Sequence, residues 1–317
     1  MSESRNAGRE TERRDVWAFY DAYKTAGEGN AVPRPDIDSF SHVDKETKRR
    51  DRELLKKKQN RPGMRIQRET GPDAFAFENF LTTMSQEHRW FGGELTPTTE
   101  FDDWISGADA IVEWPGDGEP VRLAIDFTAA EDIETFFRKS DKLEGNVRLK
   151  YVRSAVEEED GRPKELRAFM PLVLLGFDQS VYRSIAERKD DPDEHHPIRR
   201  LLIEQAASQI DLQLRLLIEK AFESPRAKRS KKLEGALQNY RSLGKDFTTT
   251  QTIDFISTLD EREIDAVLNA KNKQRLGDLL RVKGQLTKET ERAQEIELNE
   301  EWKRIAEQSK THQILSG

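Results

Sequence analysis

Two aspartates carry the strongest chemical signal in the chain. Asp109 opens the run "ADAIVEW", and Asp126 stands inside "RLAIDFTAAED", Arg122 to Asp132, surrounded by residues that want burial. A buried carboxylate is costly unless a charge or hydrogen-bond donor meets it. Facing carboxylates with Cβ atoms about 5 Å apart repel each other. A shared proton, a lysine or a divalent cation ligated by several oxygens compensates such a pair; otherwise the strand register is shifted so that they do not face, or both acids lie on a wet face and tolerate one another.

The elements that bring these acids together are legible from alternation. "ADAIVEW" and "VRLAIDFT" read as a hairpin joined by the six residues "PGDGEP". If Trp114 and Val121 flank that connection, Glu113 faces Arg122, Ile111 faces Ala124 and Asp109 faces Asp126. One face then carries Ala110, Val112, Trp114, Val121, Leu123, Ile125 and Phe127, all apolar, and the other carries the acids.

The hairpin sits within an α/β plan. Before it, "GPDAFAFENFLTTMSQEHRWFGG" places Phe77, Phe80, Leu81, Met84, His88 and Phe91 at helical spacing, with Asp73 as N-cap and Gly92-Gly93 closing the run. After it, "EDIETFFRKSDKLEGN" reads as a helix, "VRLKYV" as a strand and "LRAFMPLVLLGF" as a buried strand with a bulge or edge place at Pro171. Pro197 suits the first position of a long helix marked by Ile198, Leu201, Leu202, Ala206, Leu212, Leu216 and Ile218. Farther on, "FISTLDEREIDAVL" is the best-packing candidate and residues 286–310 read as nearly all polar.

Composition narrows the function classes. Charged residues make up 36% of the 317 and hydrophobic ones 35%, so the core is expected to be smaller than the chain. The absence of cysteine excludes disulfides, thiolate metal sites and thiol nucleophiles. With no apolar leader at the N-terminus and no membrane-length apolar run, a cytoplasmic protein is expected. The net charge of −7 hides two basic stretches. Residues 44–68 hold eleven Lys or Arg against four acids, and residues 225–247 hold seven against two. Each is a candidate for tracking phosphates, or a solvated helix face.

Taken together, Glu78 on the helix "AFENFL", Asp109 at the head of "ADAIVEW" and Asp126 in "AIDFT" resemble the signature of the PD-(D/E)XK nuclease-like superfamily. The pattern continues through "FDDWISGADAIVEW", "LEGNVRLKYV" and "HPIRRLLIEQAASQIDLQL", over roughly residues 70–220. The resemblance implies a restriction-endonuclease-like core, a mixed sheet flanked by helices, over 66–224. A polar, basic N-terminal arm (1–65) and a charged helical extension (225–317) flank it. It further implies Mg²⁺ or Mn²⁺ held by Glu78, Asp109 and Asp126, a metal-activated water, and DNA or RNA as substrate. The superfamily lysine belongs two residues after Asp126, where this chain has Thr128. Lys142 is the first candidate for the displaced cation and Lys150 the second, with Lys139 nearby. Thr128-Ala-Ala-Glu131 also fits a helix capping box.

Other motifs are read as structure. Asp102 and Asp103 in "EFDDW" are expected as turn formers, and His195-His196 as a surface loop before a helix, lacking zinc-pair spacing. No P-loop and no Gly-x-Ser-x-Gly elbow occurs, which disfavours a nucleotide motor and an esterase. Two functions are expected to compete: a metal-dependent nuclease, and a silent nuclease-like fold kept as a nucleic-acid-binding or protein-interaction scaffold. In either, the terminal helices are candidate surfaces for a protein partner or a second copy.

Overall fold

The computed structural model describes residues 34–61, 72–116, 118–130, 146–157, 161–178, 193–222, 264, 268–300 and 302–307. Helix α1 spans Lys45–Gln59, α2 Pro72–Glu87, α3 Glu100–Ser106, α4 Pro197–Phe222 and α5 Ala270–Ala293. The strands are β1 Glu94–Pro97, β2 Ala110–Trp114, β3 Val121–Ala130, β4 Val147–Glu157, β5 Pro163–Met170 and β6 Leu172–Asp178. The aromatic island at 15–23, the expected helix at 131–145, the basic stretch 225–247 and most of "FISTLDEREIDAVL" lie outside the described residues.

Strands β1, β2, β3 and β6 form a mixed sheet in that order, flanked by helices. β1–β2 and β2–β3 are antiparallel, and β3–β6 is parallel. The hairpin register is the one alternation predicts: Ala110 opposes Ile125, Glu113 opposes Arg122 and Trp114 opposes Val121. The expected apolar face, from Ala110 to Phe127, is buried in one cluster with Phe80, Leu81 and Met84 of α2 and the inner residues of α4 and α5. The opposite face is not wet. Its Ile111, Ala124, Leu172 and Leu174 pack under a second, two-stranded sheet of β4 and β5 through Leu149, Val152, Ala168 and Met170.

Several elements depart from the sequence reading. "LRAFMPLVLLGF" is two strands in two sheets, because Pro171 has no N–H for a ladder and the chain changes sheet there. The Pro171 carbonyl accepts from Ala124 N at 2.9 Å. Helix α2 starts at Pro72, so Asp73 lies inside its first turn rather than at the cap. It stops at Glu87, before Gly92, and Arg89 takes a positive φ of 48° at the exit. β1 is too short to show alternation, and its Pro97 argues against a strand. Thr128 sits inside β3 opposite Gly176, not at a helix N-terminus, which overturns the capping box. Gly176 is required there: a Cβ would lie 1.8 Å from the Thr128 carbonyl oxygen. In α4 the expected Ile198, Leu201, Leu202, Ala206 and Ile218 are buried, while Leu212 and Leu216 are only half-buried and Ile210, Leu214 and Leu217 take the inner positions beside them.

The C-terminal helix packs more than its polar composition suggests. In α5, Leu276, Leu279, Val282, Leu286 and Ala293 form an apolar seam in the main core, joined by Trp302, Ile305 and Ala306. Lys283 ties α5 to Asp211 of α4 at 2.7 Å. No helix among the described residues is long and apolar enough to cross a membrane.

β6 is an edge strand, and α4 covers its edge with side-chain amides. Gln209 Nε2 donates to Leu174 O (2.5 Å) while its Oε1 accepts from Leu174 N (2.7 Å). Gln205 makes the same reciprocal pair with Gly176, at 3.0 and 3.2 Å, and Gln213 donates to Leu172 O at 2.7 Å. Four helical residues rise about 6 Å and two strand residues about 6.6 Å, so every fourth helix position meets every second strand position. Replacing Gln209 with leucine leaves both backbone groups of Leu174 unpaired in a buried layer. Urea unfolding is expected to show a loss of about 2–4 kcal/mol, and a loss below about 0.5 kcal/mol would contradict the role assigned to this ladder.

Candidate acidic site

The face of the sheet turned toward β4–β5 holds four buried polar side chains on β2, β3 and the residue that leads into β2: Asp109, Glu113, Asp126 and Thr128, each 6% exposed. Burial of so many oxygens demands donors, and the structure supplies them from three directions.

Asp109 lies just before β2. Its N–H donates to Ile125 O at 2.7 Å, and its Oδ2 accepts from Phe127 N at 2.7 Å. The carboxylate thus takes the backbone donor that the strand would otherwise have offered on the next rung. Arg34, from the segment before α1, places Nη2 3.6 Å from Asp109 Oδ1 and Nη1 2.6 Å from Asp103 Oδ2. A strand donor and a guanidinium are therefore among the compensating groups at Asp109. Asp126, in β3 opposite Leu174, is buried on the same side of the sheet as Glu113 by strand alternation.

Glu113 forms the cross-strand pair read from the sequence: Arg122 Nε donates to its Oε2 at 2.5 Å. Its other oxygen accepts from Ser154 Oγ (2.6 Å) and Ala155 N (2.8 Å) on β4. Asp102 is not a turn former. It sits in the first turn of α3, capped by Thr99, and is 1% exposed. Its Oδ1 accepts from Lys150 N and its Oδ2 from Tyr151 N, both at 2.9 Å. These donors fall where β4 bulges against β5, between Leu149 and Val152 and between Arg153 and Glu157. Bulging takes backbone N–H groups out of the ladder, and Asp102 and Glu113 receive them. Burial pushes the Asp102 carboxyl above its ordinary range, against the three hydrogen bonds that favour its ionised form.

Lys150 is turned to this second cluster. Its Nζ contacts Asp51 Oδ2 of α1 at 2.5 Å and lies 5.7 Å from the Phe101 ring centre. Tyr151 donates its hydroxyl to the same Asp51 oxygen at 2.6 Å, and burial, with that acid beside it, drives the phenol pKa upward. The position of the second lysine candidate is thereby explained by packing of α1 on β4. Lys139 and Lys142 lie outside the described residues, as does the side chain of Glu78, which the backbone places on α2. Among the described residues, no three His, Cys, Asp or Glu side chains are grouped to hold a metal ion.

The described part of the basic stretch 44–68 is largely spoken for. Arg49 and Arg50 pair with Glu46, Arg52 pairs with Asp38, and Lys48 and Lys58 donate to the carbonyls of Asp38 and Trp104. The exposed lysines there are Lys45, Lys56 and Lys57. His196 is buried, not a surface residue. It stacks on Trp90 with centroids 6.0 Å apart and accepts from Ile198 N at 3.2 Å, capping α4.

Comparison of the chain with protein-family models, with curated proteins and with solved structures finds no match. What fold and site define is a class: an α/β protein with a mixed four-stranded sheet and a buried acidic layer beneath a second, two-stranded sheet.

Glu165 on β5 clamps the N-terminal segment, accepting from Ser41 N (2.5 Å), Ser41 Oγ (2.8 Å) and His42 N (3.3 Å). Burial raises its pKa, but these donors together outweigh burial and hold it below the ordinary glutamate value of 4.5. The stability it lends is present above pH 4.5 and is lost as pH falls through the lower folded value. Glu165→Gln is therefore expected to flatten the acid side of the stability profile, measured by urea unfolding from about pH 6 to about pH 3. An unchanged slope would contradict the clamp.

Proposed function

We propose that this chain is a nuclease-like α/β domain of the PD-(D/E)XK type that has kept its acids as structure. It serves as a scaffold binding nucleic acid or a protein partner and does not hydrolyse phosphodiesters. Support for the fold relationship comes from the order of its parts: a helix carrying Glu78, Asp109 at the head of one strand and Asp126 in the next, within a mixed four-stranded sheet flanked by helices. The observation that carries the silent reading is the local chemistry of the acids. Asp109 is engaged by Phe127 N–H and Arg34, Thr128 stands in β3 at the lysine position, and Lys150 pairs with Asp51.

A second reading keeps hydrolysis, with Mg²⁺ or Mn²⁺ on Glu78, Asp109 and Asp126 and Lys142 orienting the attacking water. Its support is the burial of both aspartates at neighbouring strands, an arrangement able to hold a hard cation. One assay separates the two. The protein is incubated with linear DNA, circular DNA and RNA in Mg²⁺, Mn²⁺ or chelator, beside Asp126→Ala. The scaffold reading expects no cleavage above background in any arm. Cleavage abolished by both the chelator and the substitution would establish the hydrolytic reading instead.

A further inference from the structure

Residues 34–61 pack on α3, β4 and β5 with a small core of their own. Ile37, Phe40 and Val43 cluster with Phe101 of α3 and Tyr151 of β4, and this cluster shares no residue with the core on either face of the four-stranded sheet. Polar pegs supply the rest of the attachment. Arg153 Nη2 donates to Ser39 O and Oγ at 3.1 and 2.7 Å, Glu165 accepts from Ser41 and His42, and Asp51 of α1 meets Lys150 and Tyr151. A segment held in this way opens at less cost than the sheets beneath it.

At residue 34 the segment reaches the buried acids. Arg34 spans two carboxylates, with Nη1 2.6 Å from Asp103 Oδ2 on α3 and Nη2 3.6 Å from Asp109 Oδ1. The Arg34 side chain is 27% exposed and that of Asp109 7%, so the positive charge stands at the mouth of a buried acid. With the guanidinium in place, these oxygens do not fit a hard divalent ion. Asp109 has given Oδ2 to Phe127 N–H, the guanidinium faces its Oδ1, and such an ion asks for about six oxygens. We infer that Arg34 is the resident counter-cation of Asp109 and Asp103, a tethered guanidinium in the place of a divalent ion, and that it bolts residues 34–61 across β4–β5 as a strap that opens as a unit. A guanidinium suits the task because its separate N–H groups reach two carboxylates at once, which a single ammonium does not. Being part of the chain, it neutralises Asp109 only while the strap is docked. Strap opening and loss of the counter-charge at Asp109 are therefore one event. The inference rests on the reading of the acids as structure. The two fail separately, since cleavage is scored on nucleic acid and strap opening with none present.

Hydrogen exchange of the full chain, followed by mass spectrometry over residues 35–43, reads the strap directly. In the unsubstituted protein the exchange is expected to be the same in Mg²⁺, Mn²⁺ or chelator. Arg34→Ala is expected to speed it about fivefold, and Arg34→Lys to fall between the two. Exchange over residues 276–286, in the α5 seam of the main core, is expected to stay unchanged in both variants. Adding Asp109→Asn to Arg34→Ala is expected to slow the strap again, because the docked state then buries no uncompensated carboxylate. The inference is overturned if Arg34→Ala exchanges like the unsubstituted chain, if Asp109→Asn leaves the effect of Arg34→Ala undiminished, or if residues 276–286 exchange faster in step with the strap. It is overturned equally by saturable Mn²⁺ binding to the unsubstituted chain that Asp109→Asn abolishes, which would give the place to a metal ion. That last measurement needs no change at Arg34, so it stands even if Arg34→Ala does not fold.

Discussion

Satisfying backbone groups that the ladders leave unpaired is the constraint on which this structure depends. A mixed sheet with a bulged two-stranded sheet above it creates edges and bulges in a buried layer, where each orphan N–H or C=O costs about 1–3 kcal/mol. Water has little access there, so side chains take its place. Gln205, Gln209 and Gln213 act as a surrogate strand for β6, each amide offering both a donor and an acceptor. Asp102 and Glu113 do the complementary work for the orphaned donors of β4, for which an acceptor-only carboxylate is the right partner.

That constraint changes what an acid in this chain signifies. Glu113 is neutralised by Arg122 and consumed by Ser154 and Ala155; Asp102 by two amides and Thr99; Asp109 by Phe127 N–H and Arg34. A carboxylate that already accepts a backbone bond has fewer lone pairs to give a hard cation, which prefers several oxygens. Hydrogen bonds to a charged group are the stronger kind, so such partners fix each acid in place as part of the frame. The same residue types at the same strand positions thus fit a metal site and a structural weld, and only the partners separate the two.

Much of the fold was legible because strand alternation is a strict code. The apolar row from Ala110 to Phe127, the hairpin register and the Glu113–Arg122 pair all follow from a period of two and a six-residue connection. Less was legible where a residue's role is set by a distant backbone. Asp102 looked like turn chemistry because its partners, Lys150 and Tyr151, are nearly fifty positions away. Pro171 signalled disruption, but whether a strand bends or changes sheet depends on what packs over it. The spacing of Gln205, Gln209 and Gln213 on an otherwise apolar helix face was a readable signal: three amides four apart have no business in a core unless backbone groups meet them.

The polar C-terminal helix teaches the same lesson in reverse. By composition, α5 reads as a solvated helix, yet Leu276, Leu279, Val282 and Leu286 recur at three- and four-residue intervals and close the core over α4. A narrow seam suffices because α4 presents a broad apolar surface, and one wide stripe can bury one narrow stripe. Glu289, 3% exposed, follows on that helix between Arg199 of α4 and Arg292, so even its buried acid is paid for by local cations. Asp102, Asp109, Glu113 and Glu289 are thus placed by what they receive, and the acidic layer under β4–β5 follows the same rule as the helix acid of α5.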